Sequence, residues 1–162
     1  MKHLLIFISF MLLIPPAIFS QEHKIHPVSY IFNPEADAKQ DINEAILKAA
    51  KQHRHVLLLV GGDWSYWSRN CSNLFNNGKS KKVIDDNFIL VRVNFSSMNK
   101  NSEVLDAYQC PKDQGYPILI TLDDHGKVTH TKSTAEFQAD HKWYDENAII
   151  YYLNQWAIFP AK

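Results

Sequence analysis

Two hydrophobic rhythms alternate along this chain. His55–Gly61 (HVLLLVG) and residues 88–95 (FILVRVNF) are nearly unbroken apolar runs, the pattern of strands buried on both faces of a sheet. Residues 26–32 (HPVSYIF) alternate and are β-branched or aromatic enough to predict a first strand. Between the runs the period becomes helical. After the lead-in NPEADAKQ, Ile42, Ala45, Ile46, Ala49 and Ala50 form one stripe, with Asp41 and Glu44 in a capping-box arrangement at its start. A second helix is predicted from the segment after Gly61 through Phe75, stopping near Asn77-Gly78. SKKVIDDN reads as a short helical turn and SSMNKN as a polar loop; SEVLDAYQ is a short helix that Pro111 ends. Ile118–Leu122, the turn at 123–126 and residues 127–131 make a hairpin. A last helix places Ile149, Tyr152, Leu153 and Trp156 on one face. The order is β-α-β-α-β-α-β-β-α, without internal repeats. Strands separated by helices predict an α/β fold whose central sheet has parallel members, and the late hairpin adds antiparallel ones.

The N-terminus breaks this pattern. Lys2 precedes an apolar run at 4–14, followed by Pro15-Pro16 and a small residue at Ser20, as in a cleaved secretory signal. At about 1.5 Å per residue that run is far short of the roughly 30 Å needed to span a bilayer. The expected organisation is a signal peptide at 1–20 and one domain at 21–162, exported and without stable membrane insertion after cleavage. Basic and acidic residues balance at 17 each, which leaves no cationic footprint for nucleic acid. An oxidising destination would let the two cysteines, Cys71 and Cys110, persist as a disulfide.

The segment GGDWSYWSRNC at 61–71 carries the most specific signal. A buried strand, then Trp64-Ser65-Tyr66-Trp67-Ser68 opening a helix, then Gly115-Tyr116-Pro117 opening a hairpin, resembles the thioredoxin superfamily. The secreted bacterial thioredoxin-like proteins are similar in more places. They share the Asn-Pro-x-Ala-Asp-Ala stretch at 33–38, the Tyr-x-x-Pro at 108–111 and the Leu-x-x-Trp at 153–156. The likeness runs from about residue 28 to 157.

The resemblance implies a thioredoxin-like fold, a central mixed β-sheet flanked by helices, and also marks a departure. Redox-active members carry Cys-x-x-Cys where this chain has Ser65 and Ser68. There the helix N-terminus lowers the first thiol's pKa, and the thiolate attacks a disulfide that the second thiol resolves. A serine hydroxyl neither ionises near neutral pH nor forms an S–S bond. Leu59 falls where cytosolic members bury an acid. Pro117 resembles the family's cis-proline, which leaves nearby backbone able to pair with an extended peptide. Trp64, Tyr66, Trp67 and Tyr116 surround that position, either as non-covalent anchors for a peptide or as core residues. The expected function is that of an exported, redox-inactive module of the cell envelope. Its partner would be extended or partly unfolded polypeptide, or an envelope protein, and it would need no cofactor.

Three roles for the thiols stay open. They are small buried hydrophobes, a Cys71–Cys110 disulfide, or an enzyme's catalytic pair with Cys71 attacking and Cys110 resolving. Cys71 follows Ser68 by about one helical turn, but helix-terminus stabilisation fades beyond the first turn. A structural subunit of an envelope assembly, with the aromatics as its interface, is a further alternative. The eight histidines lack metal-site spacing, and no histidine is placed to activate Ser65 or Ser68 as a hydrolytic nucleophile. Two sequons, at Asn70 and Asn94, fall within predicted helix or strand and read as chance matches.

Overall fold

Asp37, not Asp41, starts the first helix in the computed structural model, which describes residues 29–159. The predicted signal segment at 1–20, His23, His26 and the beginning of the predicted first strand lie outside the described residues. The Asp37 carboxylate accepts the Gln40 N–H at 3.0 Å and caps α1 (Ala38–Gln52). Ala38 is already buried, so the core-facing stripe begins before Asp41 and runs Ala38, Ile42, Ala45, Ala49. Glu44 instead accepts from the Gln40 side chain at 2.8 Å.

Four strands follow: β1 (His55–Gly61), β2 (Phe88–Asn94), β3 (Ile118–Leu122) and β4 (Val128–Ser133). They form one sheet in the order β2-β1-β3-β4. β1 runs parallel to β2, with Leu57 opposite Leu90, and antiparallel to β3, with Leu58 opposite Ile120. The strand period of two then divides the core. Leu57, Leu59 and Leu119 face α2 (Tyr66–Asn77), α3 (Ser80–Asn87) and α5 (Glu146–Gln155). Val56, Leu58, Val60 and Ile120 face α1 and α4 (Ser102–Ala107). Burial on both faces explains the unbroken apolar run of β1, each such side chain contributing roughly 1.5–3 kcal/mol.

The mixed α/β sheet flanked by helices matches the sequence expectation. The first predicted strand does not: among the described residues, 29–32 is not a strand. The Ile31 and Phe32 amides donate to the Asp63 carboxylate at 3.0 and 3.2 Å, rather than to a neighbouring strand. The long-range acceptor wins over local β propensity.

Two links fix the helices that carry the site. α2 ends at Gly78, whose N–H donates to the Leu74 carbonyl at 2.7 Å. Ser80 then donates through its amide (2.9 Å) and its hydroxyl (3.1 Å) to Glu146 Oε1, which ties α3 to α5. No helix among the described residues is long and apolar enough to cross a membrane.

Candidate functional site

β1 delivers the chain to a tight turn at Gly61–Gly62, and α2 begins as soon as the turn closes. Ser65 donates its amide to the Gly62 carbonyl at 3.0 Å, and its hydroxyl oxygen accepts the Ser68 N–H at 3.2 Å. Ser65 is therefore the N-cap of α2, satisfying one of the donors that a helix start leaves unpaired. The same hydroxyl reaches the Tyr116 carbonyl in a long hydrogen bond of 3.5 Å. The Tyr116–Pro117 peptide is cis, and the Pro117 carbonyl accepts the Thr134 amide (3.2 Å) and hydroxyl (2.9 Å). Two segments some fifty residues apart thus meet at Ser65.

Ser68 has a different environment. It is fully buried, and its hydroxyl has no protein partner among the described residues. It packs directly on Gly61, where a Cβ would stand 2.5 Å from Ser68 Oγ. Gly61 is needed there for close approach. Among the described residues neither serine hydroxyl is hydrogen-bonded to a basic or acidic side chain, and Leu59 is fully buried in an apolar cluster.

The aromatic residues divide into two groups around Ser65. On one side Trp64 meets Tyr116 edge-on, with ring centroids 6.1 Å apart, and Tyr116 stacks on Phe95 at 4.4 Å. On the other Tyr66 meets Trp67 edge-on at 5.6 Å, and Trp67 meets Tyr144 at 4.9 Å. Trp64 (59% exposed) and Tyr66 (47%) present their rings to solvent, while Trp67 is half-buried against the core and Pro117 is buried. Each exposed ring has its polar tip tied down. The Trp64 indole N–H donates to the Phe95 carbonyl at 2.6 Å, and the Tyr66 hydroxyl donates to the Lys142 carbonyl at 2.9 Å. What remains exposed is apolar and fixed. The Tyr116 hydroxyl is buried, and desolvation pushes its pKa up to about 12.

Phe95 and Trp143 belong to this surface, although sequence reasoning missed both. Trp143 is 61% exposed, on a loop whose Lys142 carbonyl also accepts from Asn70 Nδ2 at 3.2 Å. Only the tertiary contact of that loop with α2 reveals it.

The cysteines correct one expectation. Both are free, so the Cys71–Cys110 disulfide is not formed. Cys71 lies in the core on the α2 side of the sheet and Cys110 in the core on the α1 side. The sheet itself stands between them. That separation also removes Cys110 as a resolving partner for Cys71. Burial pushes the Cys71 thiol far above its ordinary range, outweighing the nearby Arg92 guanidinium. Burial raises Cys110 to about 11, against the smaller lowering effect of Lys112. A nucleophilic thiol needs the opposite shift.

Among the described residues no cluster of three or more His, Cys, Asp or Glu could hold a metal. The Asn94 side-chain amide is buried and bonded to Ser96 Oγ and the Asn99 carbonyl, which leaves no room for a glycan.

Comparison with known proteins agrees with the fold. A family model described as thioredoxin-like matches residues 37–124, more than half of the chain. No curated protein matches significantly. A disulphide isomerase from Xylella fastidiosa Temecula1 superimposes with a TM-score of 0.65 at 25% identity, over 76% of this chain and 98% of that one. A DsbH oxidoreductase superimposes with a TM-score of 0.50 at 19% identity, over 85% and 90%, a likeness of fold alone. With the sheet order, the strand-to-helix turn and the facing Tyr116–Pro117 all in place, this chain belongs to the thioredoxin-like family.

Proposed function

We infer that this protein is an exported thioredoxin-fold module that holds extended or partly unfolded polypeptide without exchanging disulfides. The observation that carries this reading is the state of Ser65. It occupies the turn where redox relatives keep an attacking sulfur, and its hydroxyl is already engaged as a helix cap. Oxygen at 65 and 68 removes the electron-transfer chemistry. The peptide-facing parts are retained: a cis peptide at Pro117 and exposed aromatic faces on either side of Ser65. The likeness to a disulphide isomerase supports polypeptide as the ligand class. The apolar run at 4–14 supports export, to the periplasm or beyond.

Trp64 and Tyr66 are the anchors in this reading, since their bodies are exposed while their polar tips are spent. The test is equilibrium binding of a fluorescein-labelled, reduced and unfolded polypeptide to the purified protein. Trp64→Ala should weaken binding about fivefold or more, the equivalent of losing about 1 kcal/mol of ring contact. In parallel, dithiothreitol-driven reduction of a disulfide-linked substrate should stay at the uncatalysed rate. Binding that ignores both Trp64→Ala and Tyr66→Ala would overturn the reading.

A further inference from the structure

The aromatic surface around Ser65 and Pro117 does not end at Trp64. Beyond that ring lies a groove of about 640 Å³, walled by Tyr30, Phe32, Trp64, Phe95 and Met98, with Lys100 at its rim. Its size falls within the roughly 300–1,000 Å³ range of pockets that take one small ligand or a few side chains. Trp64 is the shared wall. One edge of its ring meets Tyr116 beside Pro117, and its indole N–H is fixed to the Phe95 carbonyl in the groove.

The more buried polar side chains lining this groove, Asp63, Asn94 and Ser96, are committed within the protein. The Asp63 carboxylate accepts the Ile31 and Phe32 amides. The Asn94 side chain donates to Ser96 Oγ at 3.0 Å and to the Asn99 carbonyl at 2.7 Å. An occupant therefore meets apolar surface with few unmet hydrogen bonds. The uncommitted groups are the exposed hydroxyls of Tyr30 and Ser97 and the ammonium of Lys100, an exposed cation with no carboxylate partner among the described residues.

The far wall is built before any ligand arrives. Asn99 Nδ2 donates to the Pro34 carbonyl at 3.1 Å, and Asn101 Nδ2 donates to the Asn94 carbonyl at 2.7 Å. These bonds hold the 95–101 loop against the 33–34 segment, so binding need not order it. The loop presents Met98 with 67% of its surface exposed, an adaptable apolar side chain left in water.

The geometry points to a specificity pocket. It takes an aromatic or long aliphatic side chain of the polypeptide bound across Ser65 and Pro117, and Lys100 pairs with an acidic residue next to that side chain. This rests on the proposed function, and extends it from polypeptide in general to an apolar–acidic sequence element.

The probes are two labelled twelve-residue peptides of Ser and Gly. One carries a central Phe-Asp and the other Ser-Asp, and both are titrated into protein labelled with 13C at the methionine methyls. Met98 is assigned by Met98→Leu. The Phe-Asp peptide should shift the Met98 methyl by the ring current and bind at least fivefold tighter than the Ser-Asp peptide. Lys100→Glu should remove most of the difference between Phe-Asp and a Phe-Lys control. If both peptides bind equally, are weakened by Tyr66→Ala and leave Met98 unmoved, the pocket is refuted while the proposed function survives. If neither binds, both readings fall. If removing residues 21–28 moves the Met98 methyl and the peptides do not compete, the chain's own N-terminal segment is the occupant and the proposal is overturned.

Discussion

Ser65 accepts the backbone N–H of Ser68 at 3.2 Å, while the hydroxyl of Ser68 itself is buried without a protein partner. Two serines three residues apart thus do opposite things for stability. One satisfies a helix start; the other carries a desolvated hydroxyl into the core.

Replacing them should therefore have opposite signs. Ser65→Ala removes the cap and should cost about 1 kcal/mol, with Ser65→Asp recovering most of it. Ser68→Ala removes a buried, unpaired hydroxyl and should be neutral or stabilising by up to about 1 kcal/mol. Urea denaturation of the three variants checks this, and Ser68→Ala costing more than Ser65→Ala would contradict it.

Gly61 and Ser68 are packed too closely to change independently. A methyl at Gly61 would stand 2.5 Å from Ser68 Oγ and 2.9 Å from Ser68 Cβ. Gly61→Ala should cost about 1–3 kcal/mol through overpacking. Ser68→Ala should relieve only part of that, because the Cβ contact stays. Strict additivity in the double-mutant cycle would show that the two sites do not touch.

Asp63 anchors the segment that leads into α1. Its carboxylate is the acceptor for both Ile31 and Phe32 amides, and Phe32 is 1% exposed. Hydrogen bonds to a charged acceptor contribute roughly 1.5–3 kcal/mol each. Asp63→Ala should lower stability by about 2 kcal/mol or more and make the Phe32 amide exchange with solvent earlier than the β1 amides. Unchanged protection at Phe32 would argue against the anchor.

The buried thiols give a pH dependence of definite sign. Burial raises Cys71 well above its ordinary 9.0 and Cys110 to about 11. Above pH 9 the unfolded chain loses these protons first and binds fewer than the native state, so stability falls as pH rises. The contribution is fully present below pH 9 and is lost upward from there. Cys71→Ala should flatten the slope between pH 9 and 11 by up to about 1.4 kcal/mol per pH unit. A wild-type slope no steeper than that of Cys71→Ala would exclude a buried neutral thiol.

Much of the fold was legible because burial writes itself into periodicity. The unbroken run at 55–61 and the hairpin beginning at Ile118 could be read directly. The meeting of Ser65 with Tyr116 could be expected only through the family resemblance, since no local pattern encodes a contact across fifty residues. The cysteines show what sequence lacks altogether: spacing along a chain says nothing about which face of a sheet a residue will reach. The strand expected over 26–32 failed at its described end for a similar reason, its amides being taken by a distant carboxylate. Met98 looked like part of a polar loop, and only the asparagine bonds that order that loop make it a wall.

The account depends most on the absence of covalent exchange at this turn, and a trapping experiment addresses it directly. The purified protein is incubated with a dye-labelled, disulfide-containing polypeptide, quenched with an alkylating agent and separated under non-reducing conditions. The account predicts reversible binding in solution and no labelled adduct on the gel. A mixed disulfide between the polypeptide and Cys71 or Cys110, chased away by reductant, would contradict it.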